Sequence, residues 1–224
     1  MLERLRLPGL GGWGDDPLWG RVYDWTVEHP QPGGLLWKTG IGSDLGLLYD
    51  AAKEIARQPA GSSVLDVPVG GGVALRALRR GQGVRYVAAD ISQAMLDRTV
   101  RLARSRGVAG QVEPMIADVG DLPFADGEFD LVVSFTGLHC FPDPHTAVVE
   151  MVRVLHPGGA LTGSTLLTDS GVRYLPMRTV GRFSGLLGPG VSGPDLVAWL
   201  ENAGLGDVTV RRSGAMAYFR GVKP

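Results

Sequence analysis

The sequence predicts an α/β fold, a doubly wound and mostly parallel seven-stranded sheet with helices on both faces. Three observations predict it. Short runs of β-branched and aliphatic residues recur along the chain, several of these runs end in an acidic residue, and segments with helical spacing of apolar residues lie between them. At 224 residues, the chain fits a single domain that is long enough to bury most of its apolar surface.

The first predicted strand and the turn after it are the most informative segment. Residues 63–66 form a β-prone run that ends in Asp66, and a glycine cluster at 70–72 follows. Glycine allows the backbone to turn sharply and to approach a ligand closely. Apolar residues at 73–78 then begin a helical pattern. The segment therefore predicts a strand, a cofactor-binding turn and a helix.

The spacing of this turn disfavours a dinucleotide. A dinucleotide fingerprint needs a third glycine three residues after the second, where it allows close packing of helix on strand. Leu75 occupies that position, three residues after Gly72.

The second predicted strand also ends in an acid. Residues 85–90 end in Asp90, which lies twenty positions after Gly70, where a carboxylate can accept hydrogen bonds from ribose hydroxyls. Ser92 is the expected N-cap of the next helix, and Gly107 is its expected end. Strand, acid, cap and helix thus follow in order.

The remaining elements continue the pattern. Residues 112–118 predict a third strand ending in Asp118, and residues 131–135 predict a fourth. A helix, a Pro-Gly-Gly turn and a fifth strand follow, and the chain then ends in a late helix and a terminal hairpin. These last segments are residues 150–161, 193–205, 207–212 and 215–222.

Taken together, these segments resemble the class I S-adenosylmethionine (SAM)-dependent methyltransferases of the small-molecule, menaquinone-biosynthesis type. The family's acid-x-Gly-x-Gly-x-Gly turn is matched by Asp66, Pro68, Gly70 and Gly72, with proline in place of the first glycine. Residues 122–130 resemble the family's Leu-Pro-Phe to Phe-Asp segment. The resemblance, strong over residues 63–165, implies a Rossmann-like sheet of strand order 3-2-1-4-5-7-6 with an antiparallel terminal strand.

The resemblance also implies SAM as cofactor and S-adenosylhomocysteine as product. The acid after the third strand, Asp118, would accept a bond from the adenine amino group, and the Val119 N–H would serve a ring nitrogen. Pro68 has no N–H, so any contact from that amide is lost. The expected cofactor-binding residues are Asp66, Pro68, Gly70, Gly72, Asp90, Ile91, Met95, Asp118, Val119 and Phe135.

His139 is the candidate catalytic base. It follows the fourth strand, near the expected pocket mouth, and an imidazole titrates close to neutral pH. A base is needed only where the acceptor atom carries a proton. The other histidines, His29, His145 and His156, are weaker candidates, and no spacing predicts a metal site.

Two segments outside the core are expected to choose the substrate. Residues 1–50 contain four of the five tryptophans and are predicted to form an aromatic cap, followed by a SAM-binding domain at 51–224. A lid insertion is expected at 170–192, as the family often has. The alternative is that the aromatic rings of the leader simply dock it onto the sheet.

Composition narrows the possible partners. With 22 basic and 23 acidic side chains, no strong field attracts nucleic acid or an anionic membrane. Cys140 is the single cysteine, which excludes an internal disulfide and fits a reducing compartment. No run is long and apolar enough for membrane insertion. We expect a cytoplasmic protein that binds a small-molecule acceptor and can form a homodimer.

The predicted reaction is metal-independent methyl transfer to oxygen, carbon or nitrogen of a small apolar or aromatic metabolite. Two alternatives stay open. One is a SAM-fold protein without methylation, such as a cyclase, an isomerase or a ligand-binding module. The other is a nucleotide-dependent oxidoreductase, against which Leu75 and Asp118 argue.

Overall fold

The structure is a computed structural model that describes Thr26, residues 29–183 and residues 185–224. Most of the aromatic segment predicted to form a cap, including Trp13, Trp19 and Trp25, lies outside the described residues. Its described part contains Trp37, which is buried.

Seven strands form one sheet in the order β3-β2-β1-β4-β5-β7-β6, which confirms the predicted class and strand order. The first five strands are mutually parallel, and β7 pairs antiparallel with both β5 and β6. The strands are β1 Ser63–Asp66, β2 Arg85–Asp90, β3 Val112–Ile116, β4 Phe129–Phe135, β5 Leu155–Leu166, β6 Gly206–Ser213 and β7 Met216–Val222.

Helices cover both faces of this sheet. Neighbouring residues of one strand point to opposite faces, so Val64 belongs to one apolar core and Leu65 to the other. The Val64 face packs against α1, α2 and α3, and the Leu65 face packs against α4 and α6. The helices are α1 Pro30–Gly40, α2 Leu45–Arg57, α3 Gln93–Arg106, α4 Pro144–Arg153, α5 Leu175–Phe183 and α6 Gly193–Asn202.

Helix α2 crosses the boundary that the sequence predicted between the cap and the main domain. It begins at Leu45 and continues without a break past residue 50 to Arg57. Its buried side chains include Leu48 and Ile55, which belong to the same core as Val64. Residues 45–50 of the predicted cap segment therefore belong to a helix that packs in the main core, and the cap itself stays a prediction.

The helical pattern at 73–78 does not form an α-helix, which corrects the sequence prediction. Ala74–Ala77 forms a single turn of 3₁₀ helix in which Leu75 is buried. Glycines with positive φ bound this segment on both sides, at Gly72 (φ +86°) and Gly81 (φ +63°). Too few residues lie between them for an α-helix of ordinary length, whose first turn is costly to nucleate.

Helix α3 begins and ends where the sequence predicts. Ser92 occupies the N-cap position, although its side chain makes no capping bond, and the helix ends at Gly107 with φ +69°. The Ser92 backbone N–H instead donates to Asp90 Oδ1 at 2.9 Å. The start of the helix is thus tied to the carboxylate at the end of β2.

Candidate active site

A cavity of about 300 Å³ lies at the carboxyl ends of the central parallel strands. This edge is where open α/β sheets bind their ligands. All of the predicted cofactor-binding residues line the cavity except Gly72, and the predicted base His139 does not line it. The lining members of the predicted set are Asp66, Pro68, Gly70, Asp90, Ile91, Met95, Asp118, Val119 and Phe135.

The glycine turn forms the floor of this cavity. Gly70 adopts φ +52°, and no atom lies within 4 Å of the position that a Cβ would occupy there. Its N–H donates to Asp90 Oδ2 at 2.9 Å, and its carbonyl accepts from Thr99 Oγ1 at 2.9 Å. The turn is therefore fixed from both sides while the space next to Gly70 stays open.

Gly72 does not line the cavity but packs on a helix. A Cβ there would lie 3.0 Å from Leu102 Cδ2 and 3.2 Å from Thr99 Oγ1, both on α3. The absent side chain allows the turn to pack directly on this helix.

Pro68 lines the cavity and is compatible with the turn. The Val67–Pro68 peptide bond is cis. The residues on either side of the proline bond to the sheet, since Val67 N–H donates to Val133 O at 3.0 Å and Val69 N–H donates to Ala89 O at 2.9 Å. A side chain at Gly137 would overlap the Pro68 ring, so this loop glycine makes room for the proline.

Asp66 is fully buried at the end of β1. Its Oδ2 accepts a hydrogen bond from Tyr86 Oη at 2.5 Å. Burial raises the pKa of this carboxyl to about 8; the Tyr86 bond opposes that rise, and the nearby Asp90 adds to it. Asp66 consequently holds a proton at neutral pH unless a cation enters the cavity.

Asp90 is also buried, and burial raises its pKa. Backbone N–H groups of Ser92 and Gly70 donate to its two oxygens and oppose this rise. Each carboxylate oxygen has a second lone pair, so both can accept a further bond from a ligand.

The far side of the cavity carries the third acid. Asp118 lies two residues beyond the end of β3, which stops at Ile116 rather than at the acid as predicted. It is exposed, and its Oδ1 accepts from the Gly120 N–H at 2.8 Å. The side chains of Val119 and Met95 are buried apolar parts of the same lining.

The charge of the lining suits SAM. Three acidic side chains, those of Asp66, Asp90 and Asp118, line the cavity, and no lysine, arginine or histidine does so among the residues that the structure describes. The ammonium, ribose hydroxyls and adenine amino group of SAM are hydrogen-bond donors that acidic side chains can accept, and its sulfonium is a positive charge that a nearby carboxylate stabilises. SAM's own carboxylate has no cationic side chain to pair with among the described lining residues. The acidic residues present therefore fit the donor groups and the positive charges of this cofactor.

The remaining wall is largely apolar and includes residues that sequence analysis did not select as site residues. Those from the loop after β4 and from beyond α5 are Thr136, Cys140, Phe141, Pro142 and Gly185. Thr136 has φ +57°, an uncommon value for a β-branched residue, and its N–H donates to Ser164 O at 2.9 Å. The only sequence signal for most of these residues is their place in the loop after β4, beside His139.

His139 lies behind this wall and is buried. Its Nδ1 accepts the Leu166 N–H at 3.1 Å, with Thr165 Oγ1 at 3.3 Å. Burial lowers the pKa of the imidazole to about 4, so the ring is neutral at physiological pH. The structure thus places His139 between β5 and the loop after β4.

Within the described ranges, no group of three or more histidine, cysteine, aspartate or glutamate side chains is arranged to hold a metal ion. Among the same residues, no helix combines the length and the apolar character needed to cross a membrane.

Comparison with known proteins identifies the class. Residues 65–162 match the family model described as a methyltransferase domain. The chain is 33% identical over 209 residues to the demethylmenaquinone methyltransferase of Clavibacter sepedonicus, and the match covers 82% of each protein. It is also 30% identical over 146 residues to an uncharacterised chloroplastic methyltransferase of Arabidopsis thaliana, of whose length it spans only 41%.

The fold comparison agrees. Phosphoethanolamine N-methyltransferase 2 of Haemonchus contortus, solved with SAM, superimposes with a TM-score of 0.71 at 15% identity, over 92% of this chain and 56% of that one. The chain belongs to the class I SAM-dependent methyltransferases, and its cofactor is SAM. Among them it is similar to the menaquinone-biosynthesis methyltransferases.

Proposed function

We propose that this protein transfers a methyl group to a small, neutral, apolar or aromatic metabolite without the help of a metal ion. The observation that carries the proposal is the division of a single cavity into two parts. Carboxylates line the part formed by β1, β2 and the segment after β3, and apolar side chains line the part formed by the loop after β4. A cationic cofactor and an apolar acceptor would thus meet in one enclosed space.

Bound SAM supplies an electrophilic methyl group on its sulfonium. On the cofactor side, we assign the ribose hydroxyls to Asp90 and the adenine amino group to Asp118, with Asp66 providing negative charge near the cationic groups. Holding two reactants in line in this way lowers a barrier by about 7–11 kcal/mol. The chain's main contribution is therefore orientation.

The acceptor side favours a neutral molecule. The apolar side chains of Phe135, Phe141 and Pro142 line it, and no described lining residue carries a positive charge that would neutralise an acidic acceptor. The name of the Clavibacter relative gives demethylmenaquinone as its substrate. This supports an apolar, ring-containing acceptor here as well.

We infer that His139 positions the acceptor wall, by which we mean the part of the cavity lining formed by the loop after β4. Its neutral ring accepts the Leu166 N–H and so fixes the loop that carries Cys140 and Phe141 against β5. The sequence-based hypothesis that His139 is the base stays a prediction, which a pH profile tests below.

Three further predictions remain part of this proposal. Residues 170–192 are proposed as a lid, which is supported by the presence of Gly185 in the cavity lining. A cytoplasmic location and a homodimer are the other two.

Incubation with SAM and a panel of hydroxylated and quinone-like aromatic compounds tests the proposed reaction. We expect a methylated product and an equal amount of S-adenosylhomocysteine, both detected by mass spectrometry. An acceptor that is rearranged without gaining a methyl group would instead establish the cyclase or isomerase alternative. Binding of NADH in place of SAM would establish the oxidoreductase alternative.

A further inference from the structure

Helix α5 turns its apolar side to solvent. The exposed fractions are 47% for Leu175, 63% for Val180 and 91% for Phe183, and Val172, just before the helix, is 81% exposed. At about 100° per residue, Phe183 lies about 80° and Val180 about 140° around the helix from Leu175, so the three side chains occupy one broad side of α5. We call this exposed side, together with Val172, the α5 face.

The opposite side of α5 is attached to the protein by close backbone packing and polar bonds. Gly181 packs so closely on Leu187 that a Cβ would lie 2.6 Å from its Cδ1. The Arg178 guanidinium donates to the Thr168 carbonyl on this side. Arg182, which is exposed and lies about 20° around the helix from Leu175, flanks the apolar side and donates from Nη2 to Pro189 O at 2.7 Å. The outward orientation of the apolar side is therefore set by specific contacts on the other side.

The charge of the segment that contains α5 favours an anionic lipid surface over a second copy of this chain as the partner of the α5 face. Residues 170–190 contain three arginines, Arg173, Arg178 and Arg182, and no aspartate or glutamate. Two copies of this chain that met through the α5 face about a two-fold axis would bring the exposed Arg173 and Arg182 of one copy near those of the other. An anionic lipid surface instead complements both properties, because it accepts apolar side chains below its headgroups and attracts arginine.

The position of the α5 face relates it to the candidate active site. Gly185 lines the cavity, and Phe183 lies only two residues before it. A molecule that the α5 face contacts near Phe183 is therefore close to a lining residue of the cavity.

We propose that the α5 face docks on the surface of an anionic lipid bilayer. Val172, Leu175, Val180 and Phe183 enter the boundary between headgroups and acyl chains, while Arg173 and Arg182 contact the headgroups. This is peripheral binding, and no segment spans the bilayer. Docking would also bring the cavity close to apolar acceptor molecules dissolved in the bilayer. This second statement rests on the proposed function, whereas the docking itself does not.

Vesicle sedimentation with the full chain tests the docking. We expect binding to vesicles of equal parts phosphatidylglycerol and phosphatidylcholine, and weaker binding to phosphatidylcholine alone or at high salt. The double substitution Val180→Ser and Phe183→Ser should weaken binding to the anionic vesicles at least tenfold. The matched control is Leu36→Ser, which removes an exposed leucine from α1 and should leave vesicle binding unchanged.

SAM titration of the same preparations separates the two claims. The Leu36→Ser variant, whose substitution lies outside the proposed lid, should bind SAM as the unaltered chain does. SAM binding without any vesicle binding overturns the docking proposal alone, and vesicle binding without SAM binding overturns the proposed function alone. A dimer in light scattering that the double variant loses, with no vesicle binding, would show that a second copy covers the α5 face.

Discussion

At the scale of single residues, Asp90 links the protein's own structure to cofactor binding. Its two oxygens already accept backbone bonds from the glycine turn and from the start of α3. The same buried carboxylate faces the cavity, where ribose hydroxyls would add to these bonds. Its removal should therefore affect affinity more than that of an exposed acid.

Asp90→Ala should weaken SAM binding by about 1–3 kcal/mol through the loss of charge-assisted hydrogen bonds. Isothermal titration calorimetry measures this. Asp97→Ala is the matched control, because Asp97 is exposed on α3 and bonds Gln93. Equal SAM affinity in the unaltered chain and the Asp90 variant would remove Asp90 from the cofactor site.

Asp66 makes SAM affinity depend on pH. Because burial raises its folded-state pKa to about 8, the carboxyl binds its proton more tightly in the folded protein than in the unfolded chain. Its contribution to the free energy of unfolding is thus fully present below about pH 4 and is lost as the pH rises through 8. A bound cation favours the ionised form, so SAM binding should release a proton.

The apparent SAM affinity should accordingly increase by roughly three- to tenfold between pH 6 and pH 8. Calorimetry in buffers of different ionisation enthalpy measures both the affinity and the released proton. Asp66→Asn serves as the control. Its asparagine side chain cannot ionise, so any pH dependence that remains comes from the ligand's own titrating groups or from other residues. A pH dependence identical in the two proteins would show that Asp66 does not sense the cofactor.

His139 can be tested by comparing two substitutions. Glutamine at this position can still accept the Leu166 N–H, whereas alanine cannot. If His139 positions the wall, His139→Ala should lose turnover with SAM affinity intact, and His139→Gln should keep most turnover with an unchanged pH profile. Loss of turnover in both variants, together with a changed pH profile in His139→Gln, would favour the base hypothesis.

At the scale of elements, the packing of the glycine turn on α3 depends on Gly72. Gly72→Ala should lower the free energy of unfolding by about 2–4 kcal/mol, from a strained positive φ and overlap with Leu102 and Thr99. Gly81 also has a positive φ, but no atom lies within 4 Å of the position that a Cβ would occupy there. Gly81→Ala should therefore lower the free energy of unfolding by only about 1–2 kcal/mol.

Chemical denaturation of both variants measures the difference, which isolates the packing of the turn from backbone strain. Equal losses of stability would mean that the contact with α3 is unimportant. A fall in SAM affinity for the Gly72 variant alone is also expected, because the same turn carries Gly70 at the cavity.

The elements show what local sequence can and cannot predict. The parallel strands were predictable because each is a short apolar run with an acid or glycine near its end. The 3₁₀ turn was not, because the pattern at 73–78 is helical and only the flanking glycines limit its length. The orientation of α5 was not predictable either, since periodicity defines an apolar side but not whether that side faces the core.

At the scale of the whole molecule, the two halves of the candidate site differ in how they arise. The cofactor half comes from residues at or just after the ends of β1, β2 and β3, so motif spacing located it. The acceptor half combines the loop after β4 with Gly185, which lies more than forty residues further along the chain. The bond from Leu166 to His139 is similarly long-range, so the sequence could not place that ring.

The distribution of charge also becomes visible only at this scale. The net charge of −1 predicts no strong field, yet three acids line the cavity and the segment with α5 carries three arginines. Opposite charges are therefore assigned to different surfaces, one for a cationic cofactor and one for an anionic lipid surface.

The central claim is that this cavity binds SAM, and calorimetric titration with SAM and separately with S-adenosylhomocysteine tests it most directly. Mass spectrometry of the purified protein under native conditions identifies any ligand already bound. We predict that one molecule of either compound binds per chain with micromolar affinity, and that each displaces the other. Absence of binding by both, in a folded protein that carries no ligand, would contradict the account.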